Sequence, residues 1–180
     1  MPPSPPPLVT VMGVTGSGKT TVGAALAQRL QVPFADADDF HPAANVAKMS
    51  AGIPLDDDDR LPWLQTISRW LAEHAATGAV VSCSALKRWY RDVLREAAPG
   101  QFFVHLAGSP EVVARRVAGR PGHFMPASLV TSQFETLEPL GTEERGITVD
   151  LDLPVDDIVA RAHAAITAAA PHPVAEETRP

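Results

Sequence analysis

The chain has 180 residues, 45% of them apolar and 20% charged, the composition of one compact domain and too apolar for general disorder. Its net charge of −6 argues against a broad nucleic-acid surface, and no apolar run approaches the ~18–20 residues of a membrane span. The single cysteine, Cys83, can form neither an internal disulfide nor a zinc cluster, and Met1 to Pro7 lacks the basic and apolar regions of a secretion signal, so a reducing cytoplasm is expected.

The proline-rich residues 1–7 and the stretch 171–180 read as flexible ends of a domain spanning 8–170. Leu8 to Met12 reads as a buried strand, followed by a Gly-rich turn and a helix with Val22, Leu26 and Leu30 at i, i+4, i+8. A second strand near Val32 to Ala35 ends in the acidic stretch Asp36 to Asp39. A short helix is expected over Pro42 to Gly52, and Asp56 to Asp59 then introduce a long one, since carboxylates at a helix start complement its dipole. The stripe of that helix is Leu64, Ile67, Leu71 and Ala75, with Gly78 ending it.

Ala79 to Cys83 is a third strand, followed by a helix carrying Leu86, Tyr90, Val93 and Leu94. Phe102 to Leu106 is a fourth strand, and Ser109-Pro110-Glu111 opens another helix as N-cap, N1 and N2. Arg115 to Pro126 breaks the pattern. A helix over Ala127 to Leu137, a fifth strand over Ile147 to Leu151 and a last helix marked by Val155, Ile158, Val159, Ala162 and Ile166 complete the chain. There is no internal repeat. Strands separated by helices imply right-handed crossovers, so the expected class is α/β, a five-stranded parallel sheet with helices on both faces.

Gly13-Val14-Thr15-Gly16-Ser17-Gly18-Lys19-Thr20 satisfies G-x-x-x-x-G-K-[ST] between an apolar strand and an amphipathic helix. In that context glycines let successive backbone N–H groups turn inward on a phosphate at the helix N-terminus. Lys19 would reach the β- and γ-phosphates and the Thr20 hydroxyl would ligate Mg²⁺, so ATP and Mg²⁺ are the expected cofactors. No guanine-reading N-K-x-D occurs late in the chain, and the third strand ends in Ser82-Cys83-Ser84 instead of a closing aspartate. Asp36 and Asp38 take over, at the end of the second strand where ligands of such sheets collect. Asp36 is placed on the metal with Thr20, and Asp38 on the proton of an attacking hydroxyl; the reverse assignment stays open.

These residues resemble the small P-loop gluconate kinases. The resemblance runs through Gly13 to Thr20, Asp36 to Pro42, Asn45, Lys48-Met49, Gly52 to Leu55 and Asp57 to Leu64. It continues through Cys83 to Lys87, Tyr90-Arg91, Leu94-Arg95, Gly122-His123-Phe124 and Ser132 to Glu138, covering roughly residues 8–168. Ala37 departs from the family, which usually has Gly there. The resemblance implies a P-loop kinase fold, ATP-dependent phosphorylation of D-gluconate at its 6-hydroxyl, and a homodimer.

A polyol acid needs a cation for its carboxylate and polar groups for its hydroxyls, and His41, Lys48, Arg60, Lys87 and Arg91 are the candidates. Arg60 and Arg91 could grip a carboxylate bidentately. Each candidate also has a plainer reading: Arg60 paired with Asp56 to Asp59, Lys48 solvated, His41 structural. Residues 115–126 resemble the lid of small-molecule kinases, with Arg116 and Arg120 at i, i+4 to neutralise the transferring phosphoryl group. Two other readings are a kinase for another hydroxy acid such as shikimate, and a P-loop ATPase that drives a partner.

Overall fold

The computed structural model describes residues 4–119 and 127–170. Its elements run β1 (Leu8–Met12), α1 (Lys19–Leu30), β2 (Phe34–Asp36), α2 (Ala43–Ser50), α3 (Asp57–Glu73), β3 (Ala79–Ser82) and α4 (Arg88–Ala97). They continue with β4 (Phe102–Ala107), α5 (Pro110–Ala118), α6 (Ala127–Thr136), β5 (Gly146–Asp150) and α7 (Val155–Ala169). The five strands form one parallel sheet in the order β2-β3-β1-β4-β5.

β1 is central and buried on both faces, which its apolar run requires. Val9 and Val11 pack with Val22 and Leu26 of α1 and Ile158 and Ala162 of α7. Met12 and Phe103 pack on the opposite face with Leu64 and Ile67 of α3 and Leu94 of α4. The strand order reverses beside β1, so the loops after β1, β2 and β3 open onto one crevice at the carboxyl edge.

Four local expectations are corrected. β2 starts at Phe34, not Val32, because Gln31 adopts a left-handed conformation (φ 56°) and the Val32 N–H donates to the Ala27 carbonyl, closing α1 with a C-terminal motif. Ala75 lies past the end of α3 and is exposed. Arg115 to Ala118 belong to a regular helix, so the break in pattern begins at Gly119. Pro7 is already tied into the sheet, its carbonyl accepting the Ala79 N–H at 3.1 Å, so the flexible-end reading does not extend to it.

Candidate active site

The loop between β1 and α1 owes its shape to backbone freedom. Gly16 and Gly18 have φ of +84° and +88°, in the left-handed region that favours glycine. A Cβ on Gly16 would also stand 2.5 Å from Val117 of α5. The Ser17 N–H closes the turn on the Val14 carbonyl at 3.1 Å, and the Gly13 N–H reaches the Ser84 carbonyl after β3 at 3.3 Å. Gly18 is the N-cap of α1 and no side chain caps that end, so its first-turn amides face the hollow of the loop. Nη2 of Arg116 lies 3.7 Å from where a Gly18 Cβ would be, which brings this predicted cation to the loop.

Asp36 is held by both carboxylate oxygens. Oδ2 accepts the Thr20 hydroxyl at 3.1 Å, and Oδ1 accepts the Asp38 N–H at 2.9 Å, capping a 3-10 turn over Ala37–Phe40 that the sequence did not announce. A hydroxyl and a single carboxylate suit Mg²⁺, which takes one or two protein carboxylates and completes its shell with phosphates and water. Consistently, no group of three or more His, Cys, Asp or Glu among the described residues could hold a metal unaided. The Asp38 side chain is 85% exposed, its carboxylate 3.9 Å from Nε2 of His41. Cys83 lies within reach of the charges of Lys19, Asp38 and Asp36, and burial pushes its thiol up to about 12, so it is inert.

His41 stacks on Trp63 at 4.2 Å between ring centroids, and Nε1 of Trp63 donates to the Ala37 carbonyl at 2.7 Å. Nδ2 of Asn45 is 3.3 Å from Nδ1 of His41, which makes Nδ1 the acceptor and leaves the proton on Nε2, toward Asp38. Burial lowers the His41 pKa against the pull of Asp38, and the Arg60 charge lowers it further. The ring therefore enters the site neutral, as a hydrogen-bond donor.

The predicted cations separate into three kinds. Lys48 is latched to both carboxylate oxygens of Asp59, at 2.9 and 2.7 Å, and Asp59 also closes the capping box of α3. That hydrogen bond to Asp59 raises the Lys48 pKa. Arg60 and Lys87 converge on Asp57, at 3.8 and 3.7 Å, while the Tyr90 hydroxyl donates to the same carboxylate at 3.0 Å. Both cations also lie over the Tyr90 ring, at 5.8 and 5.6 Å from its centroid. Two cations share one carboxylate there, which leaves room for a second anion.

Arg91 does not join them. It is fully buried, its Nε and Nη2 on Glu144 at 2.7 and 3.0 Å and its remaining donors on the carbonyls of Ala85, Leu86 and Pro139. Every face of the fork is occupied, so Arg91 has no donor for a substrate carboxylate. Burial raises the Glu144 pKa, but hydrogen bonds from Arg91, the Gly141 N–H and Arg95 outweigh it and hold the carboxyl at about 2. Arg120, Gly122, His123 and Phe124 lie outside the described residues. Asp57 and Tyr90 are site residues to which the sequence reading gave no role, although both lie in stretches that carry the family resemblance; Trp63 is a buried core residue on which His41 stacks.

A sequence model of the shikimate kinase family matches residues 15–135. Gluconokinase from Gluconobacter oxydans (strain 621H) is 51% identical over 146 residues, 80% of this chain and 82% of that protein. The chain belongs to the gluconokinases, within the shikimate kinase-like family of P-loop kinases. The thermosensitive gluconokinase of Escherichia coli (strain K12) is 44% identical over 162 residues, 88% of this chain and 86% of that one. The crystal structure of a gluconokinase from Sinorhizobium meliloti 1021 superposes with a TM-score of 0.84 at 51% identity, covering 92% of this chain and 94% of that one. Shikimate kinase from Bacteroides thetaiotaomicron, 19% identical with a TM-score of 0.66, shares the fold alone. The gluconokinase and shikimate kinase folds thus have one common frame, and the gluconokinase likeness extends to sequence across most of it. Among the described residues, no helix is long and apolar enough to cross a membrane.

Proposed function

We propose that the protein transfers the γ-phosphoryl group of ATP to the 6-hydroxyl of D-gluconate, releasing ADP and 6-phospho-D-gluconate. The observation that carries this reading is the cluster of Arg60, Lys87, Asp57 and Tyr90, which holds one cation in excess close enough to His41 to act on its pKa. A carboxylate fits that excess, and Arg60 can bind it through two parallel N–H donors. Gluconate meets the demand with its acid at one end and its primary hydroxyl at the other.

Gly13 to Thr20 take the phosphates, with Lys19 on the β/γ pair and Arg116 and Arg120 on the charge that develops in transfer. Thr20 and Asp36 would hold Mg²⁺, which would supply positive charge against the phosphates. Asp38 aligns the 6-hydroxyl and receives its proton as the oxygen bonds to phosphorus and the bond to ADP breaks. Because such transfer is loose, orientation supplies most of that contribution. His41 donates Nε2–H to a substrate hydroxyl, and Lys48, committed to Asp59, serves the acceptor side by fixing α2 to the start of α3.

The same reading places the enzyme in the cytoplasm as a homodimer, which sedimentation of the purified chain checks. The reaction is tested by ADP release with ATP, Mg²⁺ and a panel of acids. Release that depends on gluconate supports it. Release that depends on shikimate, or that needs a protein partner and no small acid, overturns it.

A further inference from the structure

Ser132 to Glu138 have no part in the proposed transfer, yet they touch both halves of the site. Gln133, on α6, faces the phosphate loop: its Oε1 accepts the Thr15 N–H at 2.6 Å, and its Nε2 donates to the Thr15 hydroxyl at 2.7 Å. The carboxamide accepts through its oxygen and donates through its nitrogen, and asparagine is one methylene short. The Thr15 N–H and hydroxyl are thus both held by one side chain from α6. α6 is anchored behind this contact, with Val130 buried and Phe134 packed on the core.

Five residues on, the same segment grips the acceptor loop. The Glu138 N–H donates to the Leu86 carbonyl at 2.7 Å, and Oε2 of Glu138 accepts the Arg88 N–H at 2.9 Å. Lys87, between them, is the N-cap of α4 and one of the two cations at Asp57. One short segment therefore fastens the phosphate loop at one end and a substrate cation's backbone at the other.

We propose that Gln133 is a positioning residue that couples nucleotide and acceptor binding through the 133–138 segment. Thr15 stands beside Gly16, in a loop whose glycines resist order, and ordering it costs conformational entropy. If α6 holds that loop and the Leu86–Arg88 turn together, a ligand that orders either end lowers the cost of ordering the other, and the effect is reciprocal. This rests on the reading that the loop binds ATP and the Asp57 cluster binds gluconate.

The test is the Kd of a non-hydrolysable ATP analogue, adenylyl imidodiphosphate with Mg²⁺, measured with and without saturating gluconate. In the unaltered enzyme gluconate should tighten analogue binding about fivefold or more, within the usual range of coupling between sites. Gln133→Leu should bring that ratio close to one while the Kd without gluconate changes less than about threefold. Thr15→Val keeps the N–H and the branched shape but deletes the hydroxyl, and should also lower the ratio; it carries the test if Gln133→Leu does not fold. The double variant should be no worse than Gln133→Leu alone. A ratio near one in the unaltered enzyme, or a ratio unchanged in the variants whatever their Tm, overturns the coupling. Failure of the unaltered enzyme to bind the analogue at all would count against the ATP-binding reading instead.

Discussion

The nucleotide side of the crevice is made of backbone, and the acceptor side of side chains drawn from distant parts of the chain. Gly13 to Thr20 form a continuous run whose chemistry lies in peptide N–H groups, Lys19 and the Thr20 hydroxyl. The acceptor side joins His41 to Trp63, Lys48 to Asp59, and Asp57 to Arg60, Lys87 and Tyr90 across three helices. A backbone site tolerates change wherever glycine is kept. A side-chain site can be retuned by single substitutions, which suits the half that must recognise the substrate.

The sharpest contrast within the acceptor side is Arg91 against Arg60, two arginines suited to the same task by sequence, one fully buried on Glu144 and the other half-buried at Asp57. Arg91→Ala should destabilise the fold by about 3–5 kcal/mol, because it leaves Glu144 buried without its main partner. Denaturant unfolding checks this, and a loss below about 1 kcal/mol would mean that Arg91 is not the structural cation described here.

In the proposed mechanism Asp38 and Asp36 divide the two halves of the chemistry. Asp38→Asn should lower kcat by about two decades or more, roughly 3 kcal/mol, with ATP binding in the absence of gluconate near normal. Asp36→Asn should instead be restored in part by excess Mg²⁺, since its carboxylate is held by the Thr20 hydroxyl. If excess Mg²⁺ restores Asp38→Asn and not Asp36→Asn, the two roles are exchanged.

Acid should act through buried groups of the frame, His105 on β4 and Glu144 beneath Arg91. Burial, aided by the Arg91 charge, lowers His105 from 6.5 to about 4, so the folded state keeps the ring neutral. Above pH 6.5 His105 has no effect on stability. As pH falls from 6.5 to about 4 the unfolded chain takes a proton that the folded one refuses, and stability declines by up to about 3 kcal/mol before levelling. Glu144, held at about 2, adds a second loss as pH falls from 4.5 toward 2. His105→Gln should shrink the first phase in a series of unfolding midpoints, leaving the share of His41, and keep the second.

The smallest effect is expected at Arg60. Arg60→Ala should raise the KM for gluconate about tenfold, about 1.4 kcal/mol, with kcat largely kept, as for a contact present equally in ground and transition states. A fall in kcat at unchanged KM would move Arg60 from the carboxylate to the transferring group.

Legibility followed the same division. The phosphate loop was readable because its ligands are consecutive and its glycines announce the conformation they permit. The strands and helices were readable from periodicity, apart from ends such as Val32 and Ala75, where capping decides. Arg91 was not: its partner Glu144 lies 53 residues away, and no local pattern separates a buried guanidinium from one that waits for substrate. Tyr90 read as one apolar position on a helix, since its hydroxyl acquires meaning only when Asp57, 33 residues before it, is brought alongside. Gln133 pairs with Thr15 across 118 residues, a contact no spacing could suggest.

The most direct test of the central claim is the proton-coupled phosphorus NMR spectrum of the product formed from ATP, Mg²⁺ and gluconate. The expected spectrum is a phosphate monoester resonance split into a triplet by the two protons of carbon 6, growing in step with ADP. A doublet, placing the phosphate on a secondary hydroxyl, or the singlet of free inorganic phosphate, the mark of an ATPase, would contradict it.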